Sequence, residues 1–209
     1  MAGFNWVLDE GKFLSRAEVG RLLRTARGMS RAAQARGRKV AVRDYFVLHL
    51  ALATGLRVME VARLNCGDVF LGDGVSSLLV RNGKGGKKRL VRFNGEFKDH
   101  CRRYLAWKQS VGEPTGPGDP LLRSSNTGGY VTTRAIQKAF KRCARRAGLS
   151  PHYSFHSLRH TYACHLYKAG GWNLRLVQKQ LGHARIATTQ VYADVMAPDL
   201  RRALERLYR

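Results

Sequence analysis

Apolar residues recur at helical spacing over most of the chain, with one stretch at strand spacing. In FLSRAEVGRLLRTAR, Val19, Leu22, Leu23 and Ala26 form one stripe, and Ser15 followed by Glu18 reads as a capping box that starts the helix. The following segment, residues 28–44, turns basic and reads as a solvated loop or helix end. Tyr45 to Ala53 is a strongly apolar helix, interrupted at Thr54-Gly55, and Leu56 to Leu64 reads as a second one. Residues 75–93 change period. Two apolar or β-branched runs flank a turn containing Gly83, Gly85 and Gly86, the pattern of a β-hairpin. Residues 94–109 return to helix through Phe97, Cys101, Tyr104, Leu105 and Trp107, and residues 110–120 are a loop by composition. A short extended piece, a turn at Thr127-Gly128-Gly129 and a basic helix capped by Thr132 or Thr133 come next. Past Pro198, Leu200, Leu204 and Leu207 mark a short amphipathic helix that can pack on its own domain or on a neighbour.

Composition narrows the partners. At 44% hydrophobic, the 209 residues can bury a proper core, and no run of eighteen apolar residues suggests a membrane span. No basic segment followed by an apolar one opens the chain, so no signal peptide and a cytoplasmic location are expected. The net charge of +24, from 38 Lys+Arg against 14 Asp+Glu, predicts a polyanionic partner, most simply nucleic acid, bound with steep salt dependence. No single amphipathic segment collects the cations, which disfavours a membrane surface. Arg38 and Lys39, the hairpin residues Lys84, Lys87, Lys88 and Arg89, and Arg134, Lys138 and Lys141 on the basic helix are candidate DNA contacts; ordinary solvated charge is the competing explanation. The four cysteines, Cys66, Cys101, Cys143 and Cys164, form no C-x-x-C pair and read as buried free thiols.

The chemistry concentrates in residues 151–192, PHYSFHSLRHTYACHLYKAGGWNLRLVQKQLGHARIATTQVY. His156 and Arg159 are three apart and share a helix face; His183 follows a Leu-Gly turn, and Tyr192 lies nine residues beyond it. A second pair, Arg57 and Glu60, sits just after Gly55; an arginine in so apolar a context points to more than solvated charge, and a structural salt bridge is the less favoured explanation. His156 and His160 lack the glutamate that a zinc H-E-x-x-H motif needs, and neither a phosphate-binding P-loop nor a G-x-S-x-G elbow is present. Breaking a phosphodiester without a metal needs a nucleophile, a clamp for the charged oxygens and proton management. Tyr192 is the candidate nucleophile, Arg57 and Arg159 the clamp, His156 a general base and phosphate donor, Lys84 a general acid, and His183 a further donor.

At these residues the chain resembles the tyrosine recombinase (phage integrase) family. The matching pieces are FLSRAEVGRLL, ATGLRVMEVARL, NGKGGKKRLV, FHSLRHTYACHL and LGHARIATTQVYADV, in the family's order and spacing over roughly residues 13–209. The resemblance implies that Arg57, Lys84, His156, Arg159, His183 and Tyr192 form the catalytic set. Glu60 and His160 support it, and Lys87 competes with Lys84 for the hairpin role. It implies a mainly α fold with a small antiparallel β-sheet, in which residues 1–12 are a tail or linker, 13–197 the catalytic domain and 198–209 a helix exchanged between subunits. It implies DNA strand cleavage and rejoining through a covalent 3′-phosphotyrosyl intermediate, without metal or other cofactor. The implied partner is double-stranded DNA, bound by a homotetramer that is a monomer or weak oligomer when free, with no membrane association. Most members carry a further N-terminal DNA-binding domain, so this chain reads as a fragment or as a short form whose affinity rests on its own basic surface. A non-catalytic DNA-binding regulator and a topoisomerase-like relaxing enzyme are the rival functions.

Overall fold

The computed structural model describes residues 12–72, 74, 76–81, 88–182 and 187–195. Helix α1 spans Arg16–Gln34 and is capped as its sequence predicts: Ser15 Oγ accepts from the Glu18 amide at 3.2 Å, and the Glu18 carboxylate accepts from the Ser15 amide at 2.8 Å. Of the two readings of the basic segment from Gly28, loop or helix end, residues 28–34 are the end of this helix. Ser30 and Ala33 extend the buried stripe begun by Leu22 and Ala26, so packing carries the helix to Gln34.

Helix α2, Val40–Thr54, is buried on most of its faces, with Phe46, Leu48 and Leu50 fully enclosed. Gly55 stops it in a left-handed conformation, φ 63°. Arg57 is then extended and caps the short α3, Val58–Ala62, which is all that is helical of the expected Leu56–Leu64 segment. Strands β1 (Val69–Phe70), β2 (Ser77–Val80) and β3 (Arg89–Arg92) make an antiparallel sheet in the order β1-β2-β3. In its register Leu78 faces Val91 and Val80 faces Arg89. Leu78, Val80 and Val91 are buried while Leu90 is exposed, so the period of two assigns Arg89 to the inward face.

Helix α4, Gly95–Ser110, is capped by Asn94 and lays Phe97 and Tyr104 on Phe46 of α2; the Phe46 and Tyr104 rings stack with centroids 3.9 Å apart. Helix α5, Thr133–Arg146, is capped by Thr132 and buries Ile136, Ala139, Phe140 and Cys143 while its cations face out. Helices α6 (Phe155–Ala169), α7 (Leu174–Leu181) and α8 (Ala187–Val195) follow. The main core joins α1 through α5, the sheet and the start of α6. A smaller one, built from Ala163, Cys164, Tyr167, Val177, Leu181 and Tyr192, ties α6, α7 and α8 together. The cysteines are free and buried. Among the described residues, no helix is long and apolar enough to cross a membrane.

Candidate active site

Three pieces of chain meet where α2 ends: the Gly55 turn with α3, the first two turns of α6, and the α7–α8 pair. Gly55 is indispensable to that meeting. A Cβ there would overlap the ring of Tyr162 on α6 and approach Leu181 Cδ2 of α7 to 2.9 Å, besides straining the left-handed backbone. Arg159, on the same α6 face as His156 and His160, bridges the pieces. It donates from Nη1 to the Gly55 carbonyl at 2.6 Å and from Nη2 to the Leu181 carbonyl at 3.1 Å.

Arg57 lies beside it. Its amide donates to Glu60 Oε2 at 2.8 Å, and its Nη1 donates to Glu60 Oε1 at 3.1 Å, while about a third of its side chain stays exposed, 32%. Glu60 is buried and is also gripped by Arg89, whose Nη1 and Nη2 donate to Oε1 and Oε2 at 2.9 and 3.0 Å. Burial alone would raise the Glu60 pKa. The Arg89 fork, the Arg57 amide and the two guanidinium charges outweigh it and hold the carboxyl below its ordinary value. Burial, and then the charge of Arg57, pull Arg159 down to about 10, so it stays a cation at neutral pH. Three guanidiniums against one carboxylate leave this cluster two positive charges in excess, an arrangement that favours an anion.

Tyr192, 4% exposed, brings its phenol to this point from α8. Burial raises its pKa to about 12, against the opposing pull of Arg159 and Arg57. The imidazole touching it is that of His160, Nδ1 to Oη 3.2 Å. His156 packs edge-on against His160 with ring centroids 4.6 Å apart. His160, one turn further along α6, is therefore the imidazole beside the phenol, and His156, the expected base, contacts it through the His160 ring. Burial, then the charge of His156, lowers His160 to about 4; partial burial, then Arg159 and Arg57, lowers His156 as well. Both rings are therefore neutral at physiological pH.

The remaining candidates are placed as follows. Lys84, Lys87 and His183 lie outside the described residues. Arg134, Lys138 and Lys141 line a cavity of about 500 Å³ with His156, Leu56 and Val58, so these α5 cations adjoin the cluster. Lys141 donates to the Pro151 carbonyl at 2.6 Å, and Lys39 to that of Val111 at 2.8 Å. Arg38 and Lys88 are exposed. Arg89 does not fit a hairpin-tip DNA contact. Its strand position turns it inward, its side chain is 14% exposed, and both terminal nitrogens are spent on Glu60. The carbonyls of Gly55 and Leu181 and the Arg89 fork had no motif to announce them; the alternation of Arg89 with Val91 was the one available signal.

Comparison with known proteins gives a consistent result. The Phage integrase family matches residues 12–197. The tyrosine recombinase XerD of Ralstonia nicotianae is 38% identical over 214 residues, covering 95% of this chain and 67% of that protein. XerC of Vibrio campbellii is 32% identical over 169 residues, covering 81% of this chain and 52% of that one. Among solved structures, the XerA recombinase superposes with a TM-score of 0.72 at 27% identity, over 94% of this chain and 63% of its own. The XerH site-specific recombinase bound to a palindromic difH substrate, a post-cleavage complex, gives 0.75 at 25% identity, over 93% of this chain and 52% of its own. The chain thus spans between about half and two thirds of these relatives.

Proposed function

Because the chain belongs to the phage integrase family, we propose that it is a site-specific DNA recombinase that cuts and rejoins strands through a covalent phosphotyrosine at Tyr192. One observation carries the reading: a buried phenol hydrogen-bonded to His160 feels the charges of Arg159 and Arg57, in a cluster with excess positive charge. Arg57 and Arg159 hold the two non-bridging oxygens of the scissile phosphate, with His156 and His183 as further donors. Tyr192 Oη attacks phosphorus. As that bond forms the phenol oxygen becomes ester-like and its proton passes to His160, which takes over the base role first expected of His156. The bond to the 5′-oxygen breaks, and Lys84 supplies the proton that this oxygen leaves with. The products are a 3′-phosphotyrosyl ester and a free 5′-hydroxyl. Rejoining reverses each step, and the retained ester needs no other energy source.

Double-stranded DNA is the proposed partner, as it is for the XerH structure bound to its difH substrate. The α5 cations beside His156 supply sequence-independent backbone contact, and a homotetramer assembles on the DNA. The test is covalent trapping. The protein is incubated with nicked duplexes of random sequence, denatured, and the attached DNA sequenced. A Tyr192-linked adduct on a defined site is expected, and Tyr192→Phe removes it while keeping DNA binding. An adduct that survives Tyr192→Phe, or none at all, refutes the reading. Relaxation of plasmids that lack any trapped site points instead to a topoisomerase.

A further inference from the structure

Arg89 takes no part in the steps above, yet it is largely enclosed beside them, with 14% of its side chain exposed. It lies opposite Val80 on the inward face of the sheet, and its fork closes on both oxygens of Glu60. Its stem and Nε run against Gly182. A Cβ built on that glycine would come within 2.6 Å of Arg89 Cδ and 2.7 Å of Nε, and Gly182 is left-handed with φ 65°. Among the described residues, Arg89 Nε is buried there and meets no hydrogen-bond partner. The preceding residue, Leu181, supplies the carbonyl that receives Arg159. One side chain is therefore wedged between the carboxylate that holds Arg57 and the turn that braces Arg159.

We propose that Arg89 is a positioning residue for strand cleavage: it fixes Glu60, and through it Arg57, against the Gly182 turn that braces Arg159, without touching the DNA. The physical reason is preorganisation. Arg57 is a long, partly exposed side chain whose direction depends on Glu60, and Glu60 has two oxygens that must be divided between two arginines. With the Arg89 fork in place each oxygen has a fixed donor; without it the carboxylate can rotate onto Arg57 or water and draw the clamp away from the phosphate. Arg89 also opens β3, so the same wedge ties the start of that strand to α3. The raised proton affinity that burial would give Glu60 is suppressed chiefly by the Arg89 bonds, which keeps it an anion able to orient Arg57.

The proposal rests on Tyr192 chemistry, and the experiment separates the two. Arg89→Ala, Arg89→Lys and Arg57→Ala are compared with wild type in single-turnover adduct formation on the trapped site. The scissile phosphate is either normal or a neutral methylphosphonate, with DNA affinity measured across a salt series. Loss of the fork in either Arg89 variant is expected to slow cleavage on the order of 100-fold. DNA affinity and its salt slope stay at wild-type values. On the neutral phosphate, which asks less of Arg57, the deficit of both Arg89 variants and of Arg57→Ala is expected to shrink by about tenfold or more. Should Arg89→Ala fail to fold, Arg89→Lys, which keeps the charge and the stem, carries the comparison. Wild-type rates, a salt slope reduced by about 1, or an equal deficit on both phosphates overturns the positioning role. A wild-type protein that forms no adduct overturns the cleavage reading and this one with it.

Discussion

Replacing Gly55 with alanine tests the junction on which the site depends, and its magnitude can be worked from two terms. Alanine at φ 63° costs about 1 to 2 kcal/mol in the left-handed region. The new Cβ overlaps the Tyr162 ring and lies 2.9 Å from Leu181 Cδ2. Leu181 is fully buried and Tyr162 half-buried, so neither can swing away freely, and overpacking of this kind costs about 1 to 3 kcal/mol. The sum is about 2 to 5 kcal/mol, which at roughly 2 to 4 °C per kcal/mol lowers the melting temperature by about 10 °C. An internal control exists in Gly28, mid-helix in α1, where a Cβ meets nothing within 4 Å. Gly28→Ala removes backbone freedom from the unfolded chain and improves helix propensity, and is expected to stabilise by about 0.5 to 1 kcal/mol. Urea unfolding followed by circular dichroism, on wild type and both variants at one pH, reads the two effects. Because the Gly55 carbonyl is an Arg159 acceptor, Gly55→Ala should also lose cleavage while binding DNA. Gly55→Ala within about 1 kcal/mol of wild type, or a shift of the same sign for both variants, refutes the packing argument.

The other expectations concern charge. Burial, then the neighbouring His49, pulls His100 down to about 3, and burial pulls His160 to about 4, whereas both return to the ordinary 6.5 when unfolded. Below that value the unfolded chain binds more protons, so stability falls as pH drops through the window between the two states. Each histidine removes about 2 kcal/mol by about pH 5, and a flat unfolding free energy over that range contradicts the assignment. Arg159→Ala strands two buried carbonyls and should cost about 2 to 4 kcal/mol of stability, whereas Arg57→Ala, partly exposed, costs less; both abolish cleavage. Comparable destabilisation of the two variants, or residual wild-type cleavage in either, counts against the clamp. Added sodium chloride should raise the melting temperature of the free protein by screening the self-repulsion of its +24 charge. The same salt should weaken DNA binding steeply through counterion competition; a melting point that falls with salt, or a flat DNA affinity, breaks this account.

The fold was legible wherever one physical signal dominated. The Ser15–Glu18 box, the Thr132 cap and the all-apolar α2 needed only local pattern, and each appears where its residues require it. The gaps have local causes. The end of helix α1 is ambiguous in the sequence because charged residues at 27 and 31 mask a buried stripe that continues through Ser30 and Ala33. β1 went unread because two residues carry no periodicity.

The site divides along the same line. Arg57, His156, Arg159 and Tyr192 could be picked out because their side chains do the recognising, and side-chain identity is what a sequence displays. What organises them is partly backbone. Arg159 is held by two carbonyls, those of Gly55 and Leu181, and any residue offers a carbonyl. In the sequence Gly55 marks a helix end; what it does in three dimensions is let a carbonyl reach an arginine 104 residues away. His160 shows a different limit. One turn of α6 separates it from His156, both lie on the site's side of the helix, and only the approach of α8 decides which ring meets the Tyr192 phenol. Arg89 is the most instructive case. In a chain with 38 Lys+Arg, a cation beside a lysine-rich turn reads as one more DNA contact. The strand period was the better guide: a residue two before a buried valine points inward, and an arginine that points inward must meet acceptors there, a carboxylate or carbonyls. Glu60 is that carboxylate, and it already belonged to Arg57. The charge that composition assigns to the surface is, at this position, spent on the carboxylate that also holds Arg57.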